Sequence, residues 1–529
     1  MSTLIEASEP ASCRILVVAT AGGLTNAAPI LEISRILAAR GYHIDFGTLQ
    51  GQEHFAKPYH FISRVHTLGP GIPIDVEERE YLRMTEWDIA KGFGPVMQTK
   101  QFLDSSWPCV YSSLSAIMTD PERRPDLILG DYLVDAVRDM QIEYDIPIAM
   151  HWPQMPFMAL PASYIPGHAG LQIEVMTSEH ATIRQRLINE LVPLRIAPAA
   201  IRYKRWLRQM RKTAGVHRML ATPRKPDHLM LVNSFFGVEV PKDLPPNVVA
   251  IGPVLADEYG ALDDEMIRFL EEHRKVLYIA LGTHVLLGGG ALEKILDGAM
   301  SSLRADVIDG IIWSIRGMAR RQFDLGAAIR TSSGKHATVQ ELLDGCNPDF
   351  RFLEFAPQRA LLAHPSTRCY LTHGGASSTN ESVYHGIPTV TIGVYFDQLQ
   401  NAIRLRDAGV SVPLDKHKFT AQDLSHAIAT IMRDDSGSFR QNCQRLQQVA
   451  GVASRRKFLA ADMIEEVLFD HRGRRNGPDK GRPLHLQTAD MRMPYWKAKN
   501  WDLSALVGGV TILALGLVVV LPVTLVKAL

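Results

Sequence analysis

The stretch from 355 to 398 decides the fold, and it reads FAPQ at 355–358, HGGASSTNE at 373–381 and FDQ at 396–398. An apolar run with strand character, 369–372, stands directly before the histidine and the glycine pair. Residues 378–385 have helical spacing. The order of these segments predicts a strand that stops at glycines and opens a helix.

A turn of this kind is typical of a phosphate-binding site. Glycine lets the backbone approach a ligand closely, and the free N–H groups at the start of a helix attract anions. Gly386-Ile387-Pro388 is expected to end the helix, and the apolar run 389–392 predicts the next strand. The sequence therefore predicts a β–α–β unit whose polar groups gather at the ends of the strands.

Residue types and spacings over the whole stretch resemble the nucleotide-sugar box of the UDP-glycosyltransferases. The resemblance implies that Phe355 stacks on the uracil and that Gln358 and Glu381 bind the ribose of the donor. It implies that the sugar is bound by Asp397 and Gln398. The residues that it implies for the diphosphate are His373, Gly375, Ser377, Ser378 and Thr283. Phe355 stands where the family usually has Trp, and Ser377 where it usually has Asn. A generic Rossmann turn with a structural His373 is the alternative. It leaves Glu381 and the Asp397-Gln398 pair unexplained at these spacings.

The family's general base is missing from this chain. The resemblance places Asn26 where the family has a catalytic His, and Asp131 where it has the Asp that orients this His. An amide cannot take a proton near neutral pH. Three explanations stay open: Asp131 acts directly or through a water held by Asn26, the acceptor is acidic enough to need no strong base, or the protein binds its donor without efficient turnover.

The chain is long enough for two domains, because 529 residues exceed the roughly 250–300 at which one core stops growing. Alternating strands and helices predict doubly wound parallel sheets. The resemblance implies the GT-B fold, an α/β class in which two Rossmann-like domains face a cleft. We assign 14–245 to an acceptor-binding domain and 246–470 to a UDP-sugar-binding domain, with the linker at 241–246.

Composition excludes several other classes of protein. A net charge of +1 gives no case for nucleic-acid binding, and five scattered cysteines indicate neither a disulfide framework nor a zinc site. No Asp-x-Asp motif is present to bridge Mg²⁺ to a diphosphate. We therefore expect no metal and no cofactor beyond the UDP-sugar donor. A nicotinamide dehydrogenase is disfavoured because neither glycine loop matches Gly-x-Gly-x-x-Gly with its distant acid.

The C-terminal part of the chain predicts a membrane anchor. Residues 503–526 carry no charge over a length that could cross a bilayer, and the basic stretch 471–502 before them reads as a flexible juxtamembrane tether. Because basic residues near a span stay cytosolic, we expect the catalytic domains on the cytosolic face of a membrane. A hairpin or surface helix at 503–526 is the alternative, to which Pro522 lends weight.

Two other segments of the first domain have an unusual composition. Aromatic and Met residues within 55–115 and 150–220 predict the walls of an apolar acceptor pocket, against ordinary core packing. The segment 184–218 mixes many basic residues with apolar ones. This composition is typical of a solvated helix face and also of a surface that lies on anionic lipid.

The function that follows from the resemblance is inverting transfer of a hexose from a UDP-sugar to a hydrophobic small-molecule or lipid acceptor. The resemblance to the family favours UDP-glucose as the donor. The alternative is a catalytically weak or inactive UDP-sugar-binding partner protein tethered to a membrane, for which Asn26 is the support. The sequence leaves the acceptor and the oligomeric state open.

Overall fold

A computed structural model describes residues 13–156, 160–168, 170–221, 224–283, 285–474 and 480–528 of the chain. Two parallel sheets organise these residues. The strands of the first sheet are β1 Arg14–Val18, β2 His43–Thr48, β3 Ile62–Thr67, β4 Leu127–Asp131, β5 Ile148–Trp152, β6 Leu229–Val232 and β7 Val248–Ala250. Their order across the sheet is β3-β2-β1-β4-β5-β6-β7, and every neighbouring pair is parallel.

The second sheet has six parallel strands, in the order β12-β9-β8-β13-β14-β15. In chain order, the strands after β7 are β8 Val276–Ala280, β9 Gly310–Ser314, β10 Ala328–Arg330, β11 His336–Thr338, β12 Phe350–Leu353, β13 Thr367–Thr372, β14 Thr389–Thr391 and β15 Ser411–Pro413. Strands β10 and β11 form a separate antiparallel hairpin.

Helices connect the strands and cover both faces of each sheet. They are α1 Gly23–Ala39, α2 Ile74–Thr85, α3 Gly94–Asp104, α4 Trp107–Thr119, α5 Asp135–Tyr144, α6 Ile183–Thr213, α7 Asp264–Glu272, α8 Gly289–Arg304, α9 Gly317–Arg320, α10 Val339–Leu343, α11 Gln358–Ala363, α12 Ala376–His385, α13 Asp397–Asp407, α14 Ala421–Arg433, α15 Ser438–Ala453, α16 Lys457–Gly473, α17 Tyr495–Ala498 and α18 Trp501–Ala528. Short 3-10 turns lie at Glu53–Ala56, Ile89–Lys91, Ser454–Arg456, Leu484–Leu486 and Ala489–Arg492.

Strand β1 shows why the first sheet is buried on both sides. Val17 points toward the cluster that contains residues of α1 and α16, whereas Val18 points toward the cluster that contains residues of α4 and α5. Successive side chains of a strand face opposite sides, so a strand that is apolar at consecutive positions, as β1 is over 15–18, needs a helical layer on each side. The predicted doubly wound parallel sheet is confirmed for both halves of the chain.

The last long helix of the globular part returns to the first domain. Helix α16 packs Ile464 and Leu468 into the core beneath α1, and Arg40 of α1 pairs with Asp462 at 2.7 Å. Strand β7 also pairs in the first sheet, on β6. Strand β7 and all but the last three residues of α16 lie within 246–470, which the sequence assigned to the second domain. No single position therefore divides the two domains, because the chain returns to the first domain after it has formed the second.

The segment expected to be a flexible tether is packed on the first domain over 480–490, whereas residues 494–502 are mostly exposed. Gln141 of α5 donates to the carbonyl of Gly481 at 3.0 Å, Lys225 pairs with Asp490 at 2.8 Å, and Leu486 is buried in the first domain's core. The basic composition suggested a solvated chain, but the few apolar and acidic residues within it supply contacts with the first domain. Residues 475–479 of the predicted tether lie outside the described residues.

The predicted transmembrane helix is not supported. Helix α18 covers 503–526, yet a search of the described residues finds no helix both long and apolar enough to cross a bilayer. The side chains of 517–529, the second half of the predicted span, are outside the described part of the chain.

Candidate active site

The turn between β13 and α12 forms a cradle for an anion. Gly374 has φ +79°, and a Cβ there would lie 2.8 Å from Thr391 Cγ2 and 3.1 Å from the Gln398 carbonyl oxygen, so only glycine fits. Gly375 is the N-cap residue of α12. The N–H groups of the first helical turn have no partner within the helix, and the helix dipole adds positive potential there. This end of α12 is suited to bind phosphate.

The imidazole of His373 is held between two glycines. A Cβ on Gly282 would lie 2.6 Å from His373 Cε1, and a Cβ on Gly375 would lie 2.5 Å from Nε2. Gly282 also has φ +80°, which strains any other residue. Because Gly282 follows β8 and is followed by Thr283, the loops after two neighbouring strands converge on one histidine. His373 and Thr283 thus lie at the same end of the second sheet.

Glu381 lies on α12, and one side chain from α11 and one from α12 itself fix its carboxylate. Gln358 Nε2 donates to Glu381 Oε2 at 2.7 Å, and Ser377 Oγ donates to Oε1 at 3.3 Å. The Gln358 Oε1 in turn accepts from the hydroxyls of Tyr278 at 3.2 Å and Tyr370 at 3.0 Å. Gln358 therefore uses both ends of its amide within the protein, which makes it a residue that positions Glu381.

Burial raises the pKa of Glu381 above its ordinary value, while Gln358, Arg359 and Ser377 act in the opposite direction. A carboxylate that is partly desolvated gains more from two hydroxyl donors than an exposed one does. The arrangement suits recognition of a vicinal diol, as the ribose of a nucleotide presents.

The remaining donor-side residues differ in accessibility. Phe355, after β12, is 72% exposed, so its ring face is open to stacking. Ser378 is buried on the inner side of α12, so a phosphate contact at this position would use its backbone N–H. Neither of these roles is tested by the geometry alone, and both stay predictions.

The pair Asp397-Gln398 opens α13 on the other side of the cradle. Gln398 is buried, and its Oε1 accepts from the backbone N–H groups of Val394 at 3.1 Å and Tyr395 at 3.3 Å. It therefore holds the loop after β14 in place. Asp397 is half-buried, and burial raises its pKa to about 6 although Arg404 opposes the effect. Phe396, just before it, has φ +49°, an uncommon conformation for a residue with a large side chain.

Asp131 ends β4 in the first domain and is fully buried. Its Oδ1 accepts from the Leu133 N–H at 3.0 Å, whereas Oδ2 accepts no well-formed hydrogen bond from the described residues. Burial raises the pKa of Asp131 to about 7, and Leu133 and the nearby amide of Asn26 oppose that shift. The Asn26 amide approaches the carboxyl without the full geometry of a hydrogen bond. The two residues named from the sequence are thus brought together.

Asn26 lies in the first helical turn of α1, which begins at Gly23. A Cβ on Gly22, which has φ +75°, would lie 2.5 Å from Asn26 Cγ. The amide of Asn26 therefore folds back over Gly22, the residue that precedes the helix. Pro29 stands inside the helix, where it supplies no N–H for the hydrogen bond to the preceding turn.

The two halves of the site meet around Tyr132. This residue follows Asp131, and its pKa is raised well above the ordinary value by burial first and then by the charges of Asp131 and Asp397. Both carboxylates therefore lie near one phenol, although they belong to different domains. Across the same boundary, the buried pair Arg404–Glu239 is 3.2 Å apart. Donor-side and base-side residues thus lie close to the boundary between the two domains.

Comparison with known proteins agrees with this geometry. The family model described as "UDP-glucoronosyl and UDP-glucosyl transferase" matches residues 110–451. The chain belongs to the UDP-glycosyltransferase family. It is therefore a glycosyltransferase enzyme, and the family's reaction is sugar transfer from a UDP-sugar.

Curated relatives cover nearly the whole of this UDP-glycosyltransferase. A UDP-glycosyltransferase of Talaromyces amestolkiae is 43% identical over 95% of this chain and 96% of its own length. UDP-glycosyltransferase stmC of Aspergillus ustus is 43% identical over 95% of each chain. UDP-glycosyltransferase FPY2 of Fusarium mangiferae is 40% identical over 93% of this chain and 95% of its own.

Solved structures share the fold. The kitacinnamycin glycotransferase aligns with a TM-score of 0.60 at 18% identity, covering 86% of this chain and 98% of its own. The calicheamicin glycosyltransferase CalG4 aligns with a TM-score of 0.55 at 16% identity, over 88% and 100%. The predicted GT-B fold is confirmed. At these identities the likeness concerns the fold alone.

His151 is a buried residue of this UDP-glycosyltransferase that no sequence motif singled out. It is the register partner of Asp131 on the neighbouring strand β5, so both side chains point to the same face of the sheet. Burial lowers its pKa to about 3, which keeps the ring neutral at pH 7, and neither ring nitrogen has a partner among the described residues. The alternation within β5 places His151 on this face, but only the pairing of β4 with β5 shows that Asp131 is its neighbour.

An apolar wall stands beside the cleft of the UDP-glycosyltransferase. Trp87 packs near Phe93 at 6.1 Å and near Phe396 at 6.5 Å between ring centroids, and so joins the first domain to the sugar-binding loop. Trp107, predicted for the same wall, instead stacks on Tyr111 in the core of the first domain. Phe157 and Met158, also predicted there, lie outside the described residues.

The donor set of the site is poor in metal ligands. Within the described ranges, no cluster of three or more His, Cys, Asp or Glu side chains is arranged to hold a metal ion. Transfer without a metal stays a prediction for this UDP-glycosyltransferase.

Proposed function

We propose that the enzyme transfers a hexose, with glucose as the expected sugar, from a UDP-sugar to a lipophilic small molecule or lipid, with inversion at the anomeric carbon. The observation that supports the proposal is that Asp131 of the first domain and Asp397 of the second both lie close enough to Tyr132 for their charges to raise its pKa. A proton acceptor and a sugar-binding carboxylate then share one cleft. The aromatic wall of Trp87 and Phe396 beside it favours an apolar acceptor.

In the donor half, the diol of the ribose donates to Glu381, and the diphosphate lies at the start of α12 beside His373. Backbone N–H groups, the helix dipole and the imidazole stabilise the charge that develops on UDP. Asp397 and Gln398 meet the sugar hydroxyls, and the fixed loop 394–395 sets their position. No metal is required in this scheme.

In the acceptor half, a hydroxyl oxygen attacks the anomeric carbon, and a new C–O bond forms as the bond to the UDP oxygen breaks with its electron pair. The hydroxyl proton goes to the carboxylate of Asp131. Because Asp131 is fully buried beneath Asn26, the proton passes through a water held at the Asn26 amide. An acidic acceptor such as a phenol depends less on this step.

Asn26 also favours a second function. An amide in place of the base would cost typically 10²–10⁴-fold in rate, and such a protein could serve as a UDP-sugar-binding partner with little turnover. The donor half would then be intact while transfer is absent.

One experiment separates the two functions. The full chain is incubated with UDP-glucose, UDP-galactose or UDP-glucuronic acid and a panel of hydrophobic phenols, acids and alcohols, with and without EDTA. UDP release and product mass are measured. The proposal expects a glucoside from UDP-glucose in both conditions. Binding of UDP-glucose without product from any acceptor supports the partner-protein function, and a product only from another donor overturns the choice of glucose.

A further inference from the structure

Helix α6 carries an apolar stripe on its outer side. The members of this stripe are 43% to 82% exposed, and they are Ile183, Leu187, Leu191, Leu194 and Ile201. Their spacings of three, four and seven residues place them on one face of the helix. At 1.5 Å per residue the stripe is about 27 Å long. Scattered exposed apolar residues need no explanation, but a continuous row of this length does.

The opposite face of α6 is fixed in the protein, so the stripe cannot turn inward. Val192 and Ile196 are buried in the same core cluster as Trp87 and Phe93. Asn189 accepts from the Ile173 N–H at 2.6 Å and donates to its carbonyl at 3.1 Å. A helix held this firmly on one side presents the other side permanently.

Basic residues flank and extend the stripe. Exposed basic residues of α6 that form no ion pair with a described carboxylate include Arg184, Arg186, Arg202, Lys204, Arg205 and Arg208. Glu190 is the one acidic residue of the sequence 183–213. On a helical projection, Arg184 and Arg202 fall on one side of the stripe and Arg186 and Lys204 on the other. The apolar row therefore lies between two rows of positive charge.

We propose that the outer face of α6 lies on the surface of a membrane that contains anionic lipid. Apolar side chains enter the boundary between headgroups and acyl chains, and the flanking guanidinium groups reach the phosphates above it. Each basic residue near such a surface adds electrostatic attraction to the anionic headgroups. A second copy of the chain fits this face poorly, because two-fold pairing brings the same basic residues together. The proposal goes beyond sugar transfer and is testable without turnover.

The test compares three full-length proteins for binding to phosphatidylcholine vesicles with and without about 30% phosphatidylserine. They are the wild type, the double variant Leu187→Glu/Leu194→Glu, and a matched control, Val449→Glu/Val452→Glu, which changes two exposed apolar residues of α15 at 39% and 63% exposure. Because α18 is present in all three, any contribution from it cancels in the comparison. Equal melting temperatures establish that the variants are folded.

The expected result is a preference of the wild type for anionic vesicles, weakened by salt, and at least a tenfold lower partition coefficient for the α6 variant with no change for the control. Equal binding of wild type and α6 variant to anionic vesicles overturns the proposal. So does the absence of a preference for phosphatidylserine. If light scattering shows a dimer that the α6 substitutions dissociate, the face is an interface between copies and the proposal is also wrong.

Discussion

Gln358 donates an amide hydrogen to the carboxylate of Glu381 across 2.7 Å, and this bond links the start of helix α11 to helix α12. The Gln358 carbonyl oxygen is held at the same time by two tyrosine hydroxyls from β8 and β13. Four elements of the second domain thus fix the orientation of one buried carboxylate. Preorganisation of this kind lowers the cost of binding a diol, because no side chain has to be ordered when the ligand arrives.

Replacement of Glu381 by Ala is expected to weaken UDP binding. The ribose diol loses charge-assisted hydrogen bonds worth about 1.5–3 kcal/mol each, so Kd rises about 10- to 150-fold if one such bond is lost. Glu381→Gln keeps the shape and the bond to Ser377, so its affinity for UDP is expected to lie between those of the wild type and Glu381→Ala. Calorimetry with UDP measures both. Unchanged affinity in Glu381→Ala contradicts the assignment of the donor site.

A Gly375→Ala variant is expected to lose UDP binding while it stays folded. The added Cβ would lie 2.5 Å from His373 Nε2 and must displace the imidazole from the phosphate cradle. Gly290→Ala is the matched control, because a Cβ at Gly290 in the first turn of α8 meets nothing within 4 Å. Calorimetry and thermal melting of both variants check the prediction. If Gly375→Ala binds UDP as the control does, His373 does not take part in the cradle.

Local patterns were enough to predict the β–α–β unit of the donor site. The strand before His373, the glycine pair and the end of α12 at Gly386 all depend on residues close in sequence, and the structure confirms each of them. The same holds for the double-sided burial of β1, which follows from an unbroken apolar run. Where geometry is set within one supersecondary unit, residue type and spacing carry the information.

Long-range contacts account for what the sequence could not predict. The predicted contact of Gln358 with the ribose stays a prediction, whereas the partners that hold its amide come from β8, β13 and α12, and no local pattern encodes such a network. The placement of α16 on the first domain depends on ion pairs such as Arg40–Asp462, which are more than 400 residues apart. His151 lies beside Asp131 because β5 pairs with β4, and the order of strands in the sheet cannot be predicted from either residue's local sequence. Composition likewise overstated the flexibility of the segment around Asp490.

An Asn26→His variant is expected to speed transfer to aliphatic alcohols. The side chain at this position lies close enough to affect the pKa of Asp131, so an imidazole there gains an orienting carboxylate. Restored base catalysis is worth up to about 10²–10⁴-fold in kcat/KM for an alcohol and much less for a phenol, which ionises more easily. Rates with matched alcohol and phenol acceptors measure the difference.

Two controls complete the comparison. Asn26→Gln keeps the amide and adds no base, so it should show no acceleration. Equal effects of Asn26→His on both acceptors, or loss of activity, mean that the cleft has been rebuilt around the asparagine and that the water route to Asp131 is the wild-type mechanism.

The last prediction concerns the pH dependence of the wild-type enzyme. Burial raises the pKa of Asp131 to about 7, so the carboxyl is largely protonated below that pH and cannot accept a proton. For an aliphatic alcohol, kcat/KM is therefore expected to rise from about pH 6 to about pH 8 and then to level off.

Asp131→Asn should remove this rise, lower the rate by about 10²–10⁴-fold and leave UDP affinity unchanged. Asp397→Asn is the contrasting variant: it should raise KM for the UDP-sugar and retain the rise near pH 7, because the pKa of Asp397 is about 6 and its role is on the donor side. A wild-type profile that is flat across this interval, or a rise that persists in Asp131→Asn, shows that Asp131 is not the group that receives the proton.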